Sequence, residues 1–226
     1  MLDQGPGFDS RLELLYDGSM DDAWERTAQE FMAVARRLWE RGLLAGSGGN
    51  LSLRVAGTPH VMIKPSGVPN VDCRPETLLG VDLSAKVVTG QGRPSTDTGF
   101  HLGIYRARPK VQGIVHAHAT WSIALTLLGY QALPLLTPQA WYNLGQVPVV
   151  PYATPGSAEE DAWVVDAFRE EGRVAILLQR HGLVTVGPAL SAAENLAELV
   201  EETAQVALLV HLGGGEEAVQ QGLDVF

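Results

Sequence analysis

The chain has 226 residues, of which 46% are hydrophobic and 19% are charged, and its formal net charge is −10. This length suits one domain with a sizeable core, and the acidic balance argues against nucleic acid or an anionic membrane surface as a partner. The single cysteine, Cys73, excludes an internal disulfide, and the lack of a signal-peptide pattern or of a run of about 18 apolar residues predicts a cytoplasmic protein.

The predicted elements begin with a mixed, glycine-containing arm at residues 1–19, followed by a single domain at residues 20–226. A first helix is predicted from Ser19 to Gly42, because Ser19 can cap it, acids follow in the first turn and glycine can end it. Its apolar residues recur at four-three-four-three spacing and form one stripe: Trp24, Ala28, Phe31, Ala35 and Leu38.

Strands and helices then alternate along the chain. Strands are predicted where short apolar or alternating runs lie between turn residues: 50–55, 60–64, the segment LLGVDL, 86–90, 111–118, the segment VPVVPY and 174–179. The later helices are predicted at 96–108, 119–129, 157–172 and 191–215. This order indicates an α/β fold with a central sheet covered by helices on both sides.

The histidines give the strongest chemical signal. In a strand, His116 and His118 leave the same face with Cα atoms roughly 6.5–7 Å apart, and two such imidazoles can bind one divalent metal. The alternative is a solvated strand face, but the run GIVHAHA is otherwise apolar. His181 follows a predicted buried strand and could complete a three-imidazole catalytic site, although spacing alone leaves open whether it reaches the other two. We assign structural or surface roles to His60, His101 and His211.

Six motifs in order make the chain resemble the class II aldolase/adducin family, from about residue 24 to residue 212. They are GLLAGSGGNLSLR, MIKPSGV, PSTDTGFHLGIYRARP, GIVHAHA, VPYATPGS and RHGLVTVG. The resemblance implies three α/β/α layers around a central, mostly antiparallel or mixed sheet, and a homotetramer with active sites at subunit interfaces. It also implies one divalent metal per subunit, held by His116, His118 and His181, and zinc is the metal expected.

The same resemblance implies a site for the phosphate of a small sugar phosphate. The family's phosphate-binding positions correspond to Gly49, Asn50, Ser66, Gly67, Ser95 and Thr96, and its acid position corresponds to Asp97. Glycine-rich turns and short hydroxyl side chains can wrap an anion without a large positive charge. The alternative is three ordinary turns, since glycine, serine and asparagine are common in turns.

The function implied is that of a metal-dependent aldolase, a lyase that cleaves a sugar phosphate through a metal-stabilised enediolate. Asp97 is the candidate for proton transfer, with a role as a fourth metal ligand as the alternative. The aldolases usually carry glutamate at this position, and Tyr142 is the nearest candidate for their proton-donating tyrosine. Arg180 stands where asparagine or histidine often precedes the third ligand, and the sequence assigns it no role.

Other activities on this scaffold stay open. An epimerase acting on L-ribulose 5-phosphate is the first alternative, but its acid position here is Trp141 and the tail lacks its tyrosine. Decarboxylases and dehydratases of the family are further alternatives. A non-catalytic interaction domain of the adducin type is less favoured, because that branch lacks the three metal histidines.

Overall fold

The computed structural model describes residues 19–223, so the predicted arm at residues 1–19 lies almost wholly outside the described residues. In this range the chain forms eight strands and seven α-helices, together with a 3-10 turn at Asn70–Asp72. The strands are β1 (Asn50–Arg54), β2 (Val61–Ile63), β3 (Leu79–Val81), β4 (Val87–Thr89), β5 (Gly113–Ala117), β6 (Val149–Val150), β7 (Ala175–Leu178) and β8 (Gly182–Gly187). The helices are α1 (Ser19–Glu40), α2 (Thr98–Ala107), α3 (Thr120–Leu127), α4 (Pro138–Leu144), α5 (Ala158–Ala167), α6 (Leu190–Leu212) and α7 (Glu216–Leu223).

The strands form one sheet in the order β4-β3-β2-β1-β5-β8-β7-β6. Every neighbouring pair is antiparallel except β6 and β7, which are parallel. The predicted fold class is therefore confirmed, with a mixed and mostly antiparallel sheet at its centre.

Side chains that alternate along the central strands divide the core into two parts. On one face, Leu51 and Val115 pack with the apolar sides of α1, α3, α4 and α6. On the other face, Ile114 and Val184 pack with α2 and α5. Because strand side chains alternate between the faces, Asn50 and His116 project towards the α2 and α5 side.

One strand and two α-helices of the described chain were not predicted from the sequence. Strand β8 begins directly after a three-residue turn, so few residues separate its apolar segment GLVTVG from β7. Helix α4 has only seven residues, and its start is marked by Thr137, whose hydroxyl accepts a hydrogen bond from the Ala140 amide. Helix α7 is a short polar segment after the glycines that end α6. Among the described helices, none has the length and apolar character needed to cross a bilayer.

Candidate metal centre and anion-binding cavity

Three histidines meet at one end of the central strands. His116 lies in β5 and is fully buried, and His118 follows one residue after the end of that strand. His181 lies in the tight turn between β7 and β8, where Leu178 pairs with Gly182. Since β5 and β8 are neighbours in the sheet, this turn places His181 beside the other two.

The three imidazoles face one another closely. The ring centroids are 5.0 Å apart for His116 and His118, 4.8 Å for His116 and His181, and 4.9 Å for His118 and His181. One nitrogen from each ring lies within 4.8 Å of the others. The Nε2 atoms of His116 and His118 are 3.2 Å apart, and two ligands of a tetrahedral ion with bonds of 2.0–2.1 Å lie about 3.3 Å apart. The donor set therefore fits one divalent metal.

In His116 and His181 a hydrogen bond at Nδ1 leaves Nε2 facing the middle of the histidine cluster. His116 Nδ1 donates to the Leu183 carbonyl at 3.0 Å, and His181 Nδ1 donates to Glu160 Oε1 at 2.8 Å. Each Nε2 then carries the lone pair that a metal needs. Burial lowers the pKa of His116 to about 3, and burial also lowers the pKa of His118. At neutral pH both rings are neutral, which is the form that binds metals.

Two glycines allow the backbone to approach the histidines. A Cβ atom at Gly48 would lie 2.8 Å from His118 Nδ1, so the GSGGN loop packs directly against that ring. Gly182 has φ +153°, and a Cβ atom there would lie 2.1 Å from the Ala117 carbonyl oxygen. Only glycine fits this approach of the β7–β8 turn to β5, and the approach brings His181 to His118.

Asp97 lies beside this centre. Its side chain is buried, and its Oδ2 atom is 3.7 Å from His116 Nε2. Asn50 Nδ2 donates to Asp97 Oδ2 at 2.5 Å, and Thr96 Oγ1 donates to Asp97 Oδ1 at 3.3 Å. Burial by itself would raise the pKa of Asp97, but the neighbouring His116 imidazole and the Asn50 amide outweigh it and hold this pKa below its ordinary value. The carboxylate is therefore ionised at neutral pH.

His118, His181 and Asp97 open into a cavity of about 310 Å³, a volume in the range of small-molecule sites, whereas His116 is buried behind its wall. Its wall combines the three predicted anion-binding turns with two of the three clustered histidines and one segment before α5. The lining residues are Ser47, Gly48, Gly49, Asn50, Lys64, Ser66, Gly67, Ser95, Thr96, Asp97, His118, Pro155 and His181.

All six residues predicted to bind the phosphate line this cavity. Asn50 differs from the expectation in one respect, because its amide nitrogen bonds to Asp97 while its buried Oδ1 has no hydrogen-bond partner. Tyr142 does not belong to the cavity wall: its ring is 77% exposed on α4 and contacts Trp141. Its suggested role in proton transfer stays a prediction.

Lys64 is a functional candidate that the sequence reasoning missed. It is 2% exposed, lines the cavity, and donates from Nζ to the carbonyl oxygens of Ser47 at 3.0 Å and Val68 at 2.8 Å. Burial lowers the pKa of this amine. An ammonium group has three N–H donors, so one remains for an anion in the cavity. The signal in the sequence was a cation that follows directly after the buried strand β2.

Glu160 is a second candidate that was missed. It is buried on the first turn of α5 and accepts hydrogen bonds from His181 Nδ1 and from the Gly156 amide. In the sequence it stands between two other acids, Glu159 and Asp161, and acids at a helix start are commonly solvated. Nothing in that run distinguishes it.

Other polar features lie outside this cavity. His101 Nδ1 is 2.6 Å from Ser52 Oγ, which is 3.0 Å from Tyr105 OH, and all three side chains are buried between α2 and β1. This agrees with a structural role for His101. A larger cavity of about 600 Å³ lies between α2 and α5, with Asp161 and Arg106 on its wall. None of the three clustered histidines lines it, so the chemistry is assigned to the smaller cavity.

Comparison with known proteins confirms the resemblance seen in the sequence. The model of the class II aldolase and adducin N-terminal domain family matches residues 29–208. The chain is 35% identical over 194 residues to a 3-oxo-tetronate 4-phosphate decarboxylase from Pectobacterium atrosepticum, covering 82% of this chain and 85% of that protein. It is 32% identical over 178 residues to an L-fuculose phosphate aldolase from Methanococcus vannielii, covering 79% and 93%. The crystal structure of L-fuculose-1-phosphate aldolase from Thermus thermophilus superposes with a TM-score of 0.75 at 31% identity, covering 84% of this chain and 96% of that one.

Proposed function

Because the chain belongs to the class II aldolase and adducin family, we propose that it is a metal-dependent lyase. It breaks a carbon–carbon bond beside the carbonyl group of a small phosphorylated substrate. The single observation that carries this proposal is the shared cavity: two members of the histidine cluster, His118 and His181, line the same space as Asp97 and the glycine–serine turns, and the third, His116, lies buried behind them.

The anion-binding side of the cavity supports a phosphate ester as substrate. Ser66 and Ser95 supply hydroxyl donors, and Gly49 and Gly67 leave backbone amides accessible. Thr96 lies in the same wall, but its hydroxyl proton is directed to Asp97. Lys64 adds a buried cation at the same wall. One positive charge with several neutral donors suits a phosphate group in a protein whose net charge is −10.

The other side of the cavity supports chemistry at a carbonyl group. When bound, a divalent cation acts as a Lewis acid that draws electron density towards the substrate carbonyl oxygen. Three imidazoles with an open position are typical of catalytic zinc, so zinc is the metal that we propose. In the described wall Asp97 supplies the only carboxylate, and Asn50 and Thr96 hold it towards the cavity.

Aldol cleavage of a sugar phosphate is the first candidate reaction. Asp97 accepts the proton of the hydroxyl group on the carbon that becomes the aldehyde. The electrons of the breaking carbon–carbon bond pass to the carbonyl-bearing fragment, and a proton is then delivered to the carbon of that fragment at which the bond was broken. Asp97 can carry out both transfers in turn, since it is ionised before the first and protonated before the second.

Decarboxylation of a phosphorylated 3-oxo acid is the second candidate. The bond between the carboxylate and its neighbouring carbon breaks, carbon dioxide leaves, and the electrons of that bond pass to the carbonyl-bearing fragment. This fragment then takes up one proton from water, and Asp97 can relay that proton. The relative from Pectobacterium atrosepticum carries the name of this activity.

A product assay with metal-loaded protein tests the proposal and separates the two reactions. Ketose 1-phosphates are screened for release of dihydroxyacetone phosphate, and phosphorylated 3-oxo acids are screened for release of carbon dioxide. We expect one class to react, and we expect its unphosphorylated counterparts to react much more weakly. Turnover of neither class by protein with full metal occupancy would refute the proposal.

Variants locate the activity in the cavity. His118→Ala removes a ligand and should abolish both metal binding and turnover. Lys64→Met should raise KM for the phosphorylated substrate, whereas Lys110→Met, at an exposed lysine away from the cavity, serves as the matched control. Equal KM values in the two lysine variants would remove Lys64 from the phosphate site.

A further inference from the structure

We propose that Glu160 is a positioning residue that holds His181 in its metal-binding orientation and joins this histidine to the wall of the substrate cavity. The inference rests on the proposed function, since it concerns how one ligand of the three-histidine centre is held. It assigns a task to a buried acid that neither the family motifs nor the sequence pattern singles out.

The geometry around His181 supports the first part. His181 Nδ1 donates to Glu160 Oε1 at 2.8 Å, and the Glu160 side chain is only 5% exposed, so water competes little for this bond. A carboxylate on the Nδ1 side fixes the tautomer with the lone pair on Nε2 and makes that nitrogen a better donor to a metal.

The surroundings of His181 explain why it needs such a partner. His116 lies within β5, and a carbonyl oxygen of the neighbouring strand holds its Nδ1. His181 lies in a turn, after Arg180 with φ +63°, a left-handed conformation that residues with a Cβ atom rarely adopt. The sheet therefore fixes His116, whereas Glu160 on α5 supplies the fixed point for the turn.

The second oxygen of the carboxylate supports the link to the cavity wall. The Gly156 amide donates to Glu160 Oε2 at 2.7 Å. Gly156 packs against Thr96, since a Cβ atom added to it would lie 3.2 Å from Thr96 Cβ. The preceding residue, Pro155, lines the cavity. One carboxylate thus holds a metal-binding histidine with one oxygen and the wall segment with the other.

This double acceptance makes glutamine a sharp test. Both partners of Glu160 are N–H donors, and an amide has only one acceptor oxygen. Glu160→Gln keeps the shape of the side chain but turns an NH2 group towards either His181 or Gly156. Glu160→Leu removes both acceptors and serves as the second variant.

The experiment measures the affinity of the purified full-length protein for Zn²⁺ and Co²⁺ by competition with a chelator. The visible spectrum of the Co²⁺ form reports on the geometry of the centre. Glu194→Gln is the matched control, because Glu194 is an equally buried glutamate that pairs with Arg37 between α1 and α6. Circular dichroism confirms that each variant is folded.

We expect Glu160→Gln and Glu160→Leu to bind the metal about 10–100-fold more weakly than wild type. The Co²⁺ spectrum should change in both, and Glu194→Gln should retain wild-type affinity. In nitrogen-15 spectra of the histidine rings, the Nδ1–H signal of His181 should shift in both Glu160 variants while that of His116 stays in place.

Two results overturn the inference and differ from a failure of the proposed function. Wild-type affinity and an unchanged Co²⁺ spectrum in both Glu160 variants would show that the carboxylate does not position the ligand. An equal loss in Glu194→Gln would show that any buried carboxylate has this effect. Failure of the proposed function would instead appear in the wild-type protein, as absent metal binding or absent turnover.

Discussion

Replacing Gly182 by alanine should separate His181 from the other two histidines, because this glycine is where the β7–β8 turn touches β5. The added Cβ would lie 2.1 Å from the Ala117 carbonyl oxygen and 3.2 Å from His118 Cα. Ordinary carbon–oxygen contacts begin at about 3.3 Å, so the turn must retreat by roughly 1 Å. The obstructing atoms belong to backbone in a central strand and cannot rotate aside.

The expected cost follows from two terms. A residue with a Cβ atom held at the φ of Gly182, +153°, carries backbone strain of about 1–3 kcal/mol. Overpacking against the strand adds about 1–3 kcal/mol. The sum, about 2–6 kcal/mol, is a large part of the 5–15 kcal/mol that stabilises a typical domain. A displacement of about 1 Å also exceeds the roughly 0.5 Å tolerance of a preorganised site, so metal occupancy should fall in the molecules that remain folded.

Gly172→Ala is the matched control. Gly172 also has a left-handed φ, +84°, but an added Cβ atom would meet no atom within 4 Å. Its substitution should therefore cost about 1–2 kcal/mol from conformation alone. Urea denaturation gives both free energies of unfolding, and chelator competition gives metal affinity. Equal unfolding free energies and equal metal affinity in the two variants would show that the contact between Gly182 and Ala117 does not hold the centre together.

Two further predictions concern the cavity. Asp97→Asn keeps the shape of the side chain and removes the base, so kcat should fall roughly 10²–10⁴-fold while metal stays bound. If the variant keeps near wild-type rates of turnover and solvent-deuterium exchange, Asp97 is not the proton-transfer group. If it loses both metal and activity, Asp97 is a metal ligand. Ser95→Ala and Ser66→Ala each remove a hydroxyl from the cavity wall and should weaken binding of the phosphorylated substrate by about 1.5–3 kcal/mol. An inhibition constant measured with inorganic phosphate checks this, Ser84→Ala in an exposed turn is the control, and an unchanged constant in both cavity variants would argue against the anion site.

Most helices and strands could be predicted from the sequence because each is marked by a pattern of neighbouring residues. The strands on either side of His116 alternate or run apolar over a few residues, and turn residues bound them. The recurring apolar stripe of the first helix identified α1. Strand β8 was missed for a physical reason. Its apolar segment follows β7 after only three residues, so no longer loop marked the start of a second strand.

The histidine cluster could be predicted from the residue pattern only in part. The spacing of His116 and His118 gives a shared face, because side chains alternate in a strand. The place of His181 depends on β8 lying beside β5, which is a non-local pairing with no trace in the local pattern. The family motifs supplied that information, and the roles of the individual site residues stay predictions.

Glu160 and Lys64 show where sequence reasoning ends. Glu160 and its neighbours Glu159 and Asp161 are chemically alike, and only the packing of α5 against the turn decides that Glu160 reaches His181. Lys64 follows a buried strand, where its charge is tolerated because two carbonyl oxygens accept its hydrogen bonds. Each depends on a contact with a residue well separated in the chain, His181 for Glu160 and Ser47 for Lys64, which composition and periodicity do not encode.

The sheet register links the anion-binding turns to the metal centre more tightly than the motifs suggest. Asn50, at the end of the GSGGN loop, pairs directly with His116 across β1 and β5. Its amide then bonds to Asp97, whose other oxygen faces Thr96. The loop, the acid and two of the histidines therefore form one unit built on β1 and β5, whereas His181 belongs to a second unit held through Gly182 and Glu160. Because a metal bound by all three histidines would bridge these units, its removal should loosen the β7–β8 turn while leaving the Asn50–Asp97 contact in place.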